Sequence, residues 1–302
     1  MALSILRPGM FTTVQDLGRW GFQSRGVPVS GAMDWYSHRL ANRLLANDSA
    51  MATLEVTLMG PHMRFDSDTT FAVTGAEFRL TLDDTPIEMN AQVQAWPGAV
   101  LKFGERLRGA RAYIAVSGGI DVPEVLGSRS THALTRIGGF DGRALRTGDV
   151  LAIGAKGKGQ GAKGQITLRP LPFDASGARL RVVPGDDRLF AHLTSQRFRV
   201  SPRSDRMGYR LEGAPLAGAP TAEMISTAVA TGAIQVPPTG QAILLMNDRA
   251  TTGGYAVAGT VITADLPVAG QLAPGDWVEF DACSIVAAVA ALREREAMLA
   301  AA

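Results

Sequence analysis

The sequence predicts a mainly β protein made of two related barrel-like units in tandem, with few short helices. Three observations carry that expectation. Short segments of alternating polar and apolar residues recur along the chain and stop at Gly, Pro or Asp, as strands do in β-rich domains. The 302 residues include 34 glycines and 16 prolines, which punctuate such segments, while stretches of helical period are scarce. Finally, a pattern of the first half returns in the second. Pro97-Gly98-Ala99-Val100-Leu101-Lys102-Phe103 matches Pro274-Gly275-Asp276-Trp277-Val278-Glu279-Phe280 as Pro-Gly-x-x-aliphatic-x-Phe. Upstream in each half, Leu54-Glu55-Val56 with Gly60 parallels Ile234-Gln235-Val236 with Gly240, and Asp16-Leu17-Gly18-Arg19 loosely parallels Asp205-Arg206-Met207-Gly208. Recurrence of motifs in the same order is the mark of a duplicated unit.

Individual elements follow from the same signals. Residues 64–74, 77–82, 112–117 and 179–183 alternate as strands, and the apolar run 242–246 reads as another. Asp34 can cap a helix over 35–45, where Leu40, Leu44 and Leu45 give a partial apolar face. Asp281 or Ser284 can open a C-terminal helix running through Ala302. Between the halves, the tract 154–164 holds Lys156, Lys158 and Lys163, three of the four lysines, with Lys102 the fourth. Gly, Lys and Gln cannot bury apolar surface, so this tract is expected to be a solvated linker and the first site of tryptic cleavage. The expected division is a first β unit with inserted turns over 1–155, a linker over 156–167, and a second β unit with a C-terminal helix over 168–302.

Bulk properties exclude several classes. A formal net charge of +2 leaves no electrostatic footprint for nucleic acid, and no apolar run approaches the roughly 20 residues of a membrane span. The start, Met1 to Pro8, lacks the basic and apolar regions of a signal peptide, and the single Cys283 allows no internal disulfide, so a cytoplasmic location is expected. Cys283 precedes an Ala/Val-rich stretch and reads as a small buried apolar group rather than a nucleophile. His38, His62, His132 and His192 lie far apart without ligand spacing, so no metal site is expected. No Gly-Lys-Ser/Thr occurs, hence no Walker-A phosphate loop, and no lysine has methionine neighbours as a biotin-carrying lysine usually does.

The chemistry-bearing stretch is Asn247-Asp248-Arg249-Ala250-Thr251-Thr252-Gly253-Gly254-Tyr255, which delivers a carboxylate, a guanidinium and two hydroxyls at a strand end onto a Gly-Gly turn. Just before that strand, Gly232 to Gly240 supplies the amide of Gln235 and a rigid Pro237-Pro238 turn, so the two segments are expected to face each other. Ser128-Arg129-Ser130-Thr131 places hydroxyls and a guanidinium in one loop, matching either an anion site or an ordinary hydroxyl-capped turn. Glu55 sits in a strand between Leu54 and Val56, and either pairs with an arginine across a barrel mouth or meets solvent.

Taken together, Thr13 to Gly21, Ser30 to Asp34, Leu54 to Val56, Gly127 to Thr131, Ser204 to Arg210, Gly232 to Pro238 and Asp248 to Tyr255 closely resemble the biotin-dependent carboxyltransferase family, also called allophanate hydrolase subunit 2. The resemblance covers almost the whole chain and is strongest to the members that serve ATP-dependent 5-oxoprolinases. It implies a cyclophilin-like β-barrel, a cyclophilin-like partner (a B subunit) and a lactam-utilisation partner (an A subunit). Together these would open 5-oxoproline to L-glutamate, with ATP and Mg bound by the complex and not by this chain alone. It implies catalytic roles for Asp248 as acid, base or orienting carboxylate, for Arg249 in charge stabilisation, and for Gln235 as an amide-binding donor. Arg206, Thr252, Tyr255, Arg129, Ser130 and Thr131 are expected to bind substrate, and Gln15, Asp16, Arg19, Asp34 and Glu55 to line a partner-facing rim. On that reading Asp248→Asn should abolish turnover without disturbing the fold. Two alternatives remain open: a carboxyltransferase acting on urea or a related amide with biotin supplied by a partner, and a non-catalytic regulator that binds a cyclophilin-like protein.

Overall fold

The computed structural model describes residues 1–155, 176–220 and 224–301. The fold is mainly β, with four helices and two barrel-like sheets among the described residues. Two compact units divide the chain: Met1–Arg19, Ser30–Pro170 and Leu299–Ala302 form the first, and Trp20–Val29 with Leu171–Met298 form the second. This corrects the expected division in that Trp20–Val29 groups with the second unit. The segment makes only a single 3-10 turn at Gln23–Arg25, so no sheet ladder ties it to its sequence neighbours and local pattern gives no sign of its place. The expected linker, 156–167, lies outside the described residues.

In the first unit the strands are β1 (Ala2–Arg7), β2 (Phe11–Gln15), β3 (Thr53–Thr57), β4 (His62–Phe65), β5 (Thr69–Leu82), β6 (Thr85–Ile87), β7 (Val93–Ala95), β8 (Val100–Val116), β9 (Ile120–Asp121) and β10 (Val150–Ile153). They form one sheet in the order β2-β3-β8-β4-β1-β10-β9, with β5 joined to β6, β7 and β8. Helix α1 (Trp35–Leu44) is capped as expected, Asp34 accepting from the Ser37 amide at 2.9 Å. Alternation gives the sheet two faces. Val14, Leu54, Val56, Val73 and Ile114 point into the main apolar core, while Ala72, Tyr113 and Ala115 pack with Ala41, Leu44 and Leu45.

The second unit begins the described chain again with β11 (Gly177–Pro184) and α2 (Asp187–Thr194), followed by β12 (Phe198–Val200), β13 (Gly208–Glu212), β14 (Thr227–Ala228), β15 (Ala233–Val236), β16 (Ile243–Leu245), β17 (Thr252–Gly253) and β18 (Ala256–Val261). Helix α3 (Leu266–Gly270), β19 (Trp277–Ala282) and α4 (Ile285–Ala301) up to Met298 complete it. A closed barrel runs β11-β18-β15-β16-β13-β12-β19, shut by parallel pairing of β19 with β11, and β14 and β17 form a separate two-stranded ribbon. Helix α2 is an element the sequence reading passed over, although its cap was legible: Asp186 accepts from the amides of Arg188 and Leu189, both at 3.0 Å. Ser284 caps α4, accepting from the Ala287 amide at 3.2 Å, and Cys283 is buried against Ile262, Ala264 and Ala291.

The Pro-Gly motif marks the same turn in both units. Gly98 and Gly275 each adopt φ of 90°, a left-handed conformation open to glycine. The Gly98 amide donates to Phe65 O at 2.7 Å and the Phe65 amide to Ala99 O at 2.9 Å; Gly275 and Val200, Val200 and Asp276 repeat both bonds at 2.8 and 2.9 Å. The Glu55 and Gln235 strands do not share neighbours in this way. Strand β4, the partner of the Pro-Gly strand in the first unit, follows β3 in the chain, whereas its counterpart β12 precedes β15.

Candidate functional site

In the second barrel, Gly208–Leu245 and Tyr209–Leu244 pairing holds β13 beside β16, which brings Arg206 before one strand to Asp248 after the other. The two are locked together. Arg206 Nε donates to Asp248 Oδ2 at 2.9 Å and its terminal nitrogen to Oδ1 at 3.1 Å, a bidentate fork, while the Asp248 amide donates to Arg206 O at 2.9 Å. Both side chains are buried, 8% and 7% exposed. With both carboxylate oxygens held by one guanidinium, Asp248 ties Arg206 to the strand ends.

Arg249 is as deeply buried as Asp248 but differs in its partners. Its Nε donates to Val229 O at 3.0 Å, and no carboxylate among the described residues pairs with it. Burial pulls its guanidinium below the ordinary value, and no nearby charge offsets that. The Val229 amide donates in turn to Thr251 O at 3.1 Å, at the end of the ribbon in which Ala228 faces Thr252 and Thr227 faces Gly253. Gln235, on β15, reaches the same ribbon: a β-carbon on Gly253 would collide with its Nε2, so glycine leaves the room that the amide occupies. That nitrogen is buried and finds no hydrogen-bond partner among the described residues. The expectation that the Gln235 and Asn247–Tyr255 segments face each other is met in this way. Thr252 and Tyr255 are exposed, on the ribbon and just beyond it. The Val229 carbonyl, which anchors Arg249, had no sequence signal because a main-chain group carries none.

The remaining candidates belong to the first unit and are not a rim. Gln15, Asp16, Arg19, Asp34 and Glu55 are all buried, which corrects the expectation of a partner-facing edge. Alternation turns Gln15 and Glu55 to the sheet face beneath α1, Asp34 is buried as the cap of that helix, and Asp16 and Arg19, past the end of β2, are buried by their bonds to loop 125–131. Asp16 Oδ1 accepts from the Gly18 amide at 2.8 Å and from Ser128 Oγ at 2.7 Å, and its Oδ2 accepts from the Arg129 amide at 2.6 Å. Ser130 Oγ also donates to Asp16 and accepts from its amide. Thr131 Oγ1 donates to Val14 O at 2.9 Å, and Arg129 Nε to Val122 O at 2.9 Å. Loop 128–131, expected to bind substrate, is therefore spent on holding itself to β2. Arg19 spans it with bonds of 2.8 Å to Val125 O and Ser130 O, and Gln15 Nε2 reaches Thr131 O at 3.1 Å.

Glu55 faces neither solvent nor a barrel mouth. Its Oε2 accepts from the Met33 amide at 2.8 Å and from Tyr113 Oη at 2.7 Å, with Arg111 Nε 3.9 Å from Oε1. Burial, then the Glu55 charge, holds the Tyr113 phenol well above its ordinary value, so it donates to Glu55 and accepts from the Asp34 amide. Tyr113 was missed because an aromatic in a strand normally reads as core.

Comparison with known proteins places the whole chain. A family model described as "Carboxyltransferase domain, subdomain A and B" matches residues 25–282. The C subunit of the Escherichia coli K12 5-oxoprolinase is 39% identical over 97% of this chain and 95% of that protein. The urea amidolyase of Lachancea kluyveri is 34% identical over 92% of this chain, which spans only 17% of that enzyme. Among solved structures, the Kluyveromyces lactis urea carboxylase superposes with a TM-score of 0.89 at 32% identity, covering 99% of this chain and 29% of that one. The chain belongs to the family of carboxyltransferase domains, subdomains A and B.

Proposed function

We propose that this chain is the C subunit of a cytoplasmic ATP-dependent 5-oxoprolinase, acting with a cyclophilin-like B subunit and a lactam-utilisation A subunit to hydrolyse 5-oxoproline to L-glutamate. The observation that carries the reading is one of length. The match to the bacterial C subunit runs over 97% of this chain and 95% of that protein, whereas the urea enzyme is matched over a 17% segment. Opening an unstrained lactam is uphill near neutral pH, and activation of the amide oxygen by ATP, with Mg, supplies the leaving group. Without a Gly-Lys-Ser/Thr loop in this sequence, nucleotide binding belongs to the assembled complex. Within this chain, Arg249 and Gln235 are the groups we assign to substrate, with Asp248 and Arg206 positioning them.

The carboxyltransferase reading on urea or a related amide would need biotin from a partner, since none of the four lysines stands between methionines. The likeness to urea enzymes is consistent with that reading without favouring it, and nothing specific favours a purely regulatory role. The test is reconstitution. Glutamate release from 5-oxoproline and ATP should require this chain together with the A and B subunits and be absent from any one of them. Failure of the full mixture to release glutamate, alongside carboxylation of urea by a biotinylated carrier, would replace this reading with the alternative.

A further inference from the structure

We infer that Arg249 and Gln235 together form a carboxylate-binding site in the second barrel, complete within this chain and independent of any partner subunit. Arg249 is 7% exposed and Gln235 is 6% exposed, so neither is a surface group whose needs water meets freely. An arginine stays protonated in a protein, and a buried cation without a counter-charge is costly. Its neighbour shows the contrast: Arg206 has Asp248 built in at 2.9 Å, while Arg249 has one bond, to the Val229 carbonyl, and no carboxylate among the described residues. The second observation is independent of charge. Gln235 Nε2 is a buried donor with no acceptor among the described residues, and Gly253 is the residue that gives it room.

Both groups abut one short ribbon. Arg249 is fastened to Val229, which is bonded to Thr251 just before β17, and Gln235 lies against Gly253 at the end of β17, two residues further along the chain. Two residues of strand span about 7 Å. The proposed carboxylate, accepting a bond of about 2.9 Å from each group, lies between main-chain anchors at that spacing. Since the left-over atom of Gln235 is a donor, the ligand accepts there, and since Arg249 is a buried cation with no carboxylate among the described residues, the ligand is an anion. A planar carboxylate fits a guanidinium fork facing a flat amide. Under the reading proposed above, the ligand is the carboxylate of 5-oxoproline, which separates recognition of the acid from activation of the lactam bond.

The experiment uses the purified full chain alone. Calorimetric titration compares sodium 5-oxoproline, sodium acetate, inorganic phosphate and 2-pyrrolidone, the lactam that lacks the carboxylate. Binding of 5-oxoproline and acetate without binding of 2-pyrrolidone is expected. Arg249→Met should weaken carboxylate binding at least about tenfold, the share of one charge-assisted bond, and Gln235→Leu about fivefold. The melting temperature of ligand-free Arg249→Met should equal or exceed that of the parent, since a buried charge with no carboxylate partner among the described residues is removed. A fall in that temperature would show that Arg249 serves the fold and overturn the assignment, as would 2-pyrrolidone binding as well as 5-oxoproline. Phosphate binding in place of carboxylate would overturn the ligand class, and an unchanged affinity in Arg249→Met would overturn the site. The outcome is separable from reconstitution: carboxylate binding by the chain, with no glutamate from the complex, removes the enzyme reading and leaves the site. Turnover by the complex with no carboxylate bound by the chain does the reverse.

Discussion

Replacing Asp248 by Asn tests whether the buried pair with Arg206 is a structural clamp. The carboxylate meets the guanidinium at 2.9 and 3.1 Å, and both side chains are under a tenth exposed. Removing one charge of such a pair leaves the other buried and uncompensated, which costs about 3–5 kcal/mol, well beyond the roughly 0–1 kcal/mol of an exposed pair. For a unit of this size each kcal/mol moves the midpoint by about 2–4 °C, so the transition of the second unit should fall by roughly 6–20 °C. The assay is thermal and urea unfolding of the isolated chain, read separately for the two units because a chain of two units need not unfold in one step. A second variant isolates the charge: Arg206→Met with Asp248→Leu replaces the pair by apolar groups and should recover stability to within about 1 kcal/mol of the parent. A loss below about 1 kcal/mol in Asp248→Asn alone would refute the clamp and return Asp248 to the role of acid or base. On sequence grounds this substitution is expected to spare the fold; the geometry reverses that expectation.

Three other expectations follow from particular contacts. Burial lowers His38 from 6.5 to about 4 in the folded chain, so the unfolded chain takes up a proton first as pH falls. Stability is whole above pH 6.5 and drops by roughly 3 kcal/mol by pH 4, and urea midpoints at pH 7.5 and 4.5 should show a smaller loss in His38→Gln than in the parent. Gly253→Ala forces the Gln235 amide aside and should weaken carboxylate binding to the level of Gln235→Leu in calorimetric titration, with a stability cost of about 1–3 kcal/mol. Asp16→Ala orphans the buried hydroxyls of Ser128 and Ser130 and the Arg129 amide, and should cost about 3 kcal/mol or more, with faster hydrogen exchange confined to the amides of 128–131.

How far the sequence could be read depended on the range of the interaction. The Asp34 cap and the Pro-Gly turns are local, set by neighbours within a few residues, and each is found where its pattern puts it; of the expected strands, 64–74 is broken after Phe65 and its second part runs on with 77–82 as the single strand β5. Three of the second-unit candidates were legible because Arg206, Asp248 and Arg249 flank strand ends, where a side chain leaves the ladder, while Gln235 sits within β15. What pairs with what was not legible. Nothing near Asp248 in the chain says that Arg206, 42 positions away, closes on it, or that Arg249 is left with a carbonyl instead.

The first unit shows why a polar motif can be mistaken for a site. In its sheet, Thr13 stands opposite Glu55 and Gln15 opposite Thr53, while Glu55 and Thr57 stand opposite Tyr113 and Arg111. All share one face because paired residues point the same way, and Thr74, also opposite Tyr113, extends it. Helix α1 lies over that face, and its first turn and its approach carry main-chain donors and acceptors that need partners. Glu55 takes the Met33 amide, Tyr113 the Asp34 amide, Thr74 donates to Ser37 O at 2.6 Å, and His38 meets Thr53 at 2.9 Å. A buried polar group that loses water must be satisfied by protein, so a polar face of this kind fixes one register between helix and sheet where an apolar face would allow several. Motifs such as Gln15-Asp16 and Ser130-Thr131 therefore carry the same residue types as a binding site while serving the fold. A left-over buried donor does not discriminate by itself, since Ser30 Oγ and Thr57 Oγ1 of the first unit share that state with Gln235 Nε2. What sets the second barrel apart is that such a donor and a buried arginine with no carboxylate among the described residues both reach one ribbon, whereas Asp16, Glu55 and Thr131 are partnered within the fold.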